Sequence, residues 1–498
     1  METINSIYPR VLLLVTLMIV SACSDFLEKP PQGELTQQTF PTTANDALLA
    51  TNAMYNLLRS GGFHQGLFPI LDIMSDDARK GSNPGDGAST VGTYDNFSHI
   101  PTESNISTWW STLYEGIKRA NVVIERVPTI QMDPALQGRY ISEARFLRAM
   151  FYFDLVRAWG DVPLITTVSP ERGEPRSSAD EVYGLIEQDL LQAIDGLPEK
   201  SQYAAADMGR ATKGAARALL AKMYLFRQDW ANASLYALEV INSGEYELMP
   251  AFEDANSKAG EFAAESIFEI GALPLEGLEN GGAQFANVQG VRGTPNRGWG
   301  FNRPSLDLQN SFEPGDPRLE ATVIFLGEVL DGVTISGDGG TPDELRDASN
   351  NLLEIETYNQ KVWTPGNNVP TQHDHNKRIL RYADVLLMAA EALNENGNPG
   401  DALVYLNEVR ERARGGANVL PDINETDPVL LRDLILEERR HELAMEGHRF
   451  WDLVRTGKAE EVLGPLGFVA GKHELLPIPQ SEMDLTNGIW DQNPGWNQ

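Results

Sequence analysis

Apolar residues recur at helical spacing through two long stretches of the chain, residues 44–245 and 377–456, and lose that spacing between them. In "VYGLIEQDLLQAI", Val182, Leu185, Ile186 and Leu190 share one face, and Ser178 with Glu181 ahead of them predicts a capping box. Thr43 and Asp46 predict a similar start to the first helix. From Phe146 to Trp159 the pattern is apolar almost all round, which predicts a helix buried on several sides and stopped by Gly160 and Pro163. In "RYADVLLMAAEAL", Ala383, Leu386, Leu387 and Ala390 fall at i, i+3, i+4 and i+7. Asp427 and Pro428 open another helix, with Leu431, Leu434 and Ile435 facing inward and Gly447 as its stop.

Two segments echo each other. "AKMYLFRQDWANASLYALEVI" (221–241) aligns with "AEALNENGNPGDALVYLNEVR" (390–410), pairing Ala221 with Ala390, Ala233 with Ala402, Tyr236 with Tyr405, Glu239 with Glu408 and Val240 with Val409. Each reads as a helix, a tight polar turn and a second helix whose early small residue lets the pair approach closely. The expected fold class is therefore all-α, built from tetratricopeptide-like helix pairs. Residues 246–376 are rich in Gly, Pro, Asn and isolated aromatics. So long an irregular region points to function rather than to a passive linker.

The start of the chain has a different texture. "VLLLVTLMIV" (11–20) follows Arg10 and leads into "SAC", ending at Cys23, the one cysteine in 498 residues. A short apolar core followed by small residues has the layout of a secretory signal peptide, and small residues before a lone cysteine look like a lipobox. Residues 1–22 are thus expected to be a signal peptide, Cys23 the lipid attachment site, and 23–43 a polar, Pro-containing tether. Without another cysteine, disulfides, thiolate catalysis and cysteine-ligated metals are excluded from the remainder. Lys plus Arg total 40 against 71 Asp plus Glu, a formal charge of −31. That field opposes nucleic acid, anionic headgroups and polyanionic ligands.

Few motifs survive a check of spacing. "HELAMEGH" places His441 and His448 seven residues apart, about 10 Å along a helix axis and too far to share a zinc. "GPLGFVAGKH" has Leu466 where a phosphate loop needs glycine, and His473 where it needs Ser or Thr. "QHDHNK" sets His373 and His375 about Asp374; a solvated loop is favoured there over a metal site. Acidic pairs such as Asp76–Asp77 and Glu437–Glu438 are expected by chance among so many acids, and "EERRHE" reads as an exposed face with intrahelical ion pairs.

The irregular segments carry a better signal. Residues 73–100 hold Asp76, Asp77, Arg79, Tyr94 and Phe97; residues 291–308 hold Trp299 and Phe301 among glycines; residues 361–370 hold Trp363 beside Pro365. Aromatics on glycine-rich loops are costly to expose unless something covers them. A sugar ring offers an apolar C–H face to such a platform, while acids, amides and Arg bind its hydroxyls. The competing reading is that these rings pin long loops to the helical body.

Five blocks, in order, resemble the SusD/RagB family of outer-membrane nutrient-binding lipoproteins: "CSDFLEKPP", "RFLRAMFYFDLVRAWGDVPLI", "RATKGAARALLAKMYLF" with "RILRYADVLLMAAEALNE", "ILEERRHELAMEGHRFWDLVRTG", and "LLPIPQSEMDLTNGIWDQNPGW". The resemblance implies one SusD-like domain over 44–498, with a helical scaffold (44–245 and 377–498) bearing a loop-rich ligand face (246–376). It also implies glycan binding without catalysis, surface exposure on the outer membrane, and partnership with a SusC-like TonB-dependent transporter; no cofactor and no metal-ligating residue is assigned, and calcium binding stays open. The expected ligand-binding residues are Asp76, Asp77, Arg79, Tyr94, Trp299, Phe301 and Trp363. The charge balance favours a neutral glycan such as a β-glucan. Two other readings stand beside this one: an α-helical polysaccharide-degrading enzyme and a protein-binding repeat scaffold.

Overall fold

The computed structural model describes residues 40–170, 173–274, 282, 284–340, 342–366, 373–486 and 488–496. The expected signal peptide, Cys23 and the tether up to residue 39 lie outside the described residues.

Ten α-helices of seven residues or more occur among the described residues: α1 (Ala44–Leu58), α2 (Ser104–Arg126), α3 (Pro134–Trp159), α4 (Ala179–Gly196), α5 (Lys213–Phe226), α6 (Trp230–Asn242), α7 (Tyr382–Glu395), α8 (Pro399–Arg414), α9 (Pro428–Leu443) and α10 (Arg449–Arg455). The local chemistry agrees with the reading of the sequence. Ser178 and Glu181 form a reciprocal capping box at α4, and Thr43 and Asp46 do the same at α1. Asp427 caps α9 through the amides of Val429 and Leu430. α9 ends earlier than expected, at Leu443, with Gly447 in a following turn at φ 84°; Leu434 faces solvent rather than the core.

Each helix from α1 to α7 packs on the next, and α7 also carries α8 and α9. The echo seen in sequence is the pair α5/α6 and the pair α7/α8, with Ala221, Ala233, Ala390 and Ala402 all fully buried. α6 packs directly on α7 although 139 residues separate their ends. The helical stack is therefore continuous, and the irregular region is an insertion between two of its repeats. β2 (Ser266–Ile270) and β6 (Lys377–Arg381) pair antiparallel and close the insertion at its root. Further short antiparallel pairs lie within it or tie it to the helical body, so the mostly helical fold also contains strands that the periodicity did not reveal.

The end of the chain straps back onto α3. Leu476 donates to Ala158 O (2.7 Å), the Trp159 indole donates to Pro477 O (3.0 Å), and Asn493 Nδ2 donates to Trp159 O (3.0 Å) and Leu476 O (2.7 Å).

α9 departs most from expectation. "EERRHE" is not an exposed face: Glu438, Arg439, Arg440, His441 and Glu442 are buried, and Glu437 alone of the six reaches well into solvent. The reason is tertiary. Glu442 meets Arg381 (2.6 Å), Arg412 and Arg318 (3.4 Å); Glu438 meets Arg318 (2.5 Å) and Arg410 (2.7 Å); Arg439 meets Asp384 (2.9 Å) and Asp452 (3.1 Å). Buried charges persist only when paired in this way. The network joins α9 to α7, α8 and α10, and Glu265 beside β2 joins it through Arg381 (2.8 Å) and Arg412 (2.8 Å).

Candidate ligand-binding face

Two of the loops singled out from sequence are brought together by strand pairing. β1 (Ala78–Gly81) runs antiparallel to β3 (Phe301–Pro304), with Arg79 opposite Arg303 and Gly81 opposite Phe301. The third loop arrives beside them. β5 (Thr357–Asn359), antiparallel to β4 (Val323–Phe325), packs on β3 and leads into Trp363. Buried amides fasten the junction: Asn302 Nδ2 donates to Asp72 (2.9 Å) and to Gln289 (2.8 Å), and Asn359 Nδ2 donates to the same Gln289 oxygen (3.0 Å). Burial raises the Asp72 carboxyl to about 6, against the pull of Lys377.

The glycines around Trp299 serve close packing. Gly300 adopts φ 74°, and a Cβ there would lie 3.2 Å from both Arg292 Cβ and the Tyr358 ring. At Gly298 a Cβ would lie 2.5 Å from Asn287 O, the atom that accepts the Trp299 amide (2.9 Å). Backbone held this tightly presents Trp299 on a fixed base. Its side chain is one of the exposed large apolar groups, at 37%.

Polar groups in the same loops complete the face. Arg292 ion-pairs with Asp86 and with Asp338 (2.6 Å) and donates to Ser82 Oγ (2.7 Å). Phe301 is half-buried, with Lys80 Nζ 5.8 Å from its ring centre. Trp363 is half-buried against Val291, Ile324 and Tyr358, and the Arg297 guanidinium lies 4.0 Å from its ring centre. Arg297 is itself held by Asp331 (3.1 Å).

The structure corrects three of the expected ligand contacts. Asp76 and Asp77 are buried: Arg449 grips Asp76 through two bonds of 2.8 Å, and Arg440 bridges Asp76 (2.9 Å), Asp77 (2.7 Å) and Asp307 (2.6 Å). Burial alone would raise the Asp76 carboxyl, but Arg449 and Arg440 outweigh it and hold it below its ordinary value; at Asp77 burial prevails and raises it. These acids fix the root of β1 instead of facing a ligand. Tyr94 is fully buried and stacks on His99 at 5.2 Å, so it pins its loop to the core. Arg79 is half-buried and donates to Ala78 O (2.8 Å). "QHDHNK" is not a solvated loop either: His373 is buried between Thr364 Oγ1 (3.1 Å) and Arg297 O (2.6 Å), and His375 is buried as well. Among the described residues no cluster of three or more His, Cys, Asp or Glu is placed to hold a metal.

Sequence reasoning missed Arg292, Asp86 and Asp338. All three lie in loop stretches, but the pairing of Arg292 with Asp86 spans 206 positions and leaves no local trace.

A stack of helix pairs, interrupted by one insertion that shows an aromatic ring among paired charges, defines a helical scaffold carrying a loop-built surface that is the candidate recognition face. Residues 264–467 match the family described as the SusD family, and residues 26–225 match one described as starch-binding, associating with outer membrane. SusD-like protein P2 of Formosa agariphila is 31% identical, the match covering 98% of this chain and 99% of the relative. The chain belongs to the SusD/RagB family. Among solved structures, a laminarin-binding SusD-like protein superposes with a TM-score of 0.76 at 31% identity, over 91% of this chain and 100% of the other. Surface glycan-binding protein A from Bacteroides thetaiotaomicron, in complex with laminarihexaose, gives 0.74 at 28% identity, over 91% and 100%.

Proposed function

We propose that this protein is a cell-surface lipoprotein that captures a neutral β-glucan oligosaccharide and delivers it, unaltered, to a SusC-like TonB-dependent transporter. The observation that carries the reading is Trp299, an exposed indole on a loop whose glycines pack against neighbouring backbone, beside the Arg292–Asp86–Asp338 cluster. The indole supplies a stacking surface for the C–H face of a sugar, and the charged cluster supplies donors and acceptors for hydroxyls. Phe301 and Trp363 extend the face, and Arg79 borders it. Two relatives of similar fold whose descriptions name laminarin or laminarihexaose support the choice of a β-glucan. Signal peptide 1–22, lipidated Cys23 and tether 23–43 would place the domain 44–498 at the outer membrane. The family description naming association with the outer membrane supports that placement. Among the described residues no helix is long and apolar enough to cross a membrane.

Affinity electrophoresis on a panel of neutral and acidic polysaccharides tests the reading. Retardation by a β-glucan, with no new reducing ends, is expected. Retention on a polyuronate alone would reject the neutral ligand, and released reducing ends would reject binding without catalysis. Trp299→Ala should weaken β-glucan binding by about 1–3 kcal/mol, by analogy with a nucleobase stacked on an aromatic side chain.

A further inference from the structure

On the flank formed by α2 and the C-terminal strap, a groove of about 660 Å³ opens that shares no lining residue with the Trp299 face. Its volume is in the range of small-ligand sites. α2 lines it with Trp110, Tyr114 and Lys118, spaced at four residues so that they stand along one side of the helix. The strap contributes Trp490 and Glu482.

The rings are held, not loose. Tyr114 Oη donates to Pro163 O (2.9 Å), and the Trp490 indole donates to Glu174 O (3.0 Å). Trp110 sits 5.0 Å from Tyr114 and 6.3 Å from Trp490, centre to centre. Glu482 is the unexplained group. It is half-buried, burial raises its carboxyl above the ordinary value, and no hydrogen bond or ion pair engages its side chain among the described residues. A wholly apolar occupant would desolvate that carboxylate without a donor, which is unfavourable. An acidic occupant would meet three carboxylates, Glu115, Glu174 and Glu482, against the one ammonium of Lys118. What fits is an uncharged molecule with an apolar face for the rings and several hydroxyl donors.

We infer that this groove is a second saccharide-binding site, in which a sugar ring lies against Trp490 and Tyr114 and donates hydroxyl hydrogen bonds to Glu482. The inference rests on the glycan-binding reading above and extends it: two sites on one chain let a polymer engage both, and its apparent affinity then exceeds that of either site.

Titration calorimetry of the purified protein with laminarihexaose, together with retention on laminarin gels, tests it. Two sites per chain are expected in the wild type; either Trp299→Ala or Glu482→Ala should weaken one of them and leave the other as it is, and the double variant should weaken both. Each single variant should lose at least about tenfold in retention on the polymer. Because Glu482 has no partner to lose among the described residues, Glu482→Ala should fold normally; Trp490→Phe, which keeps a ring but not the indole donor, is the second probe and should weaken the same site. A single site weakened by Trp299→Ala and untouched by Glu482→Ala and Trp490→Phe would overturn the groove while leaving the Trp299 face intact. Binding weakened in Glu482→Ala but unchanged in Trp299→Ala would uphold the groove and reject the Trp299 face. Two sites of unchanged affinity in Glu482→Ala, or a protein partner covering the groove in its place, would overturn the inference.

Discussion

Arg318 is fully buried, and its guanidinium reaches Asp316 (2.8 Å), Glu438 (2.5 Å) and Glu442 (3.4 Å). Removing it leaves three carboxylates facing one another in a dry site. Arg318→Met should therefore lower unfolding free energy by about 3–5 kcal/mol, the scale of breaking a buried pair from one side. Urea denaturation followed by circular dichroism measures it; a loss below about 1 kcal/mol would show that the remaining arginines absorb the charge. The same residues show where single positions become illegible in sequence. A charged stretch such as "EERRHE" looks solvent-facing because its partners, Arg318, Arg381, Arg410 and Arg412, are remote in the chain. Asp76 and Asp77 mislead for the same reason. The exposure of Trp299 was legible because a large ring between glycines is unusual whatever surrounds it.

At the level of elements, helix starts carry their own chemistry and could be read directly. Ser178 accepts the Glu181 amide (3.3 Å), and Glu181 accepts the Ser178 amide (2.8 Å). Ser178→Ala should cost about 0.5–2 kcal/mol of stability, read by thermal unfolding, and leave laminarin binding unchanged because α4 contributes nothing to either proposed site. Altered binding would mean that the helical stack and the ligand face are coupled. The echo of α5/α6 in α7/α8 was also visible, since its small residues repeat at fixed offsets. The insertion was not. Its strands are two to five residues long, too short for an alternating pattern to stand out, and β1 finds β3 more than two hundred residues away. Loops 73–100 and 291–308 could each be suspected, but not their meeting.

Over the whole molecule, acid should loosen the fold. Burial lowers His64, His99 and His448 to about 3 and His473 to about 4, from an ordinary 6.5. The unfolded chain takes up these protons as pH falls through 6.5 while the folded chain does not, so stability present above 6.5 is lost toward pH 3–4. Glu442, held at about 2 by Arg412, Arg381 and Arg318 in spite of burial, adds a further loss below its ordinary 4.5. Asp95 and Asp72 act in the opposite sense. Burial raises them to about 7 and about 6, so the folded chain gains their protons first and they favour folding as pH drops. Asp77 and Asp154, which burial also raises, act with these aspartates, and His375, which burial lowers well below its ordinary value, acts with the histidines. The melting temperature should level off above about pH 7 and fall toward pH 4; scanning calorimetry across that range checks it, and a flat profile would mean that these histidines are hydrated.

The strap over α3 also sets an order in time. Trp159 and Ala158 find partners at Pro477 and Leu476, some 318 positions downstream. A chain emerging from its N-terminus can stack its early helices but cannot cap Trp159 until residues 476 and 477 have emerged. Contacts so distant in sequence form slowly. Until then Trp159 keeps an unsatisfied indole donor, and the neighbouring aromatic surface stays open to proteases. A chain cut short of Leu476 never passes that point, so these bonds distinguish chains that include the strap from shorter fragments.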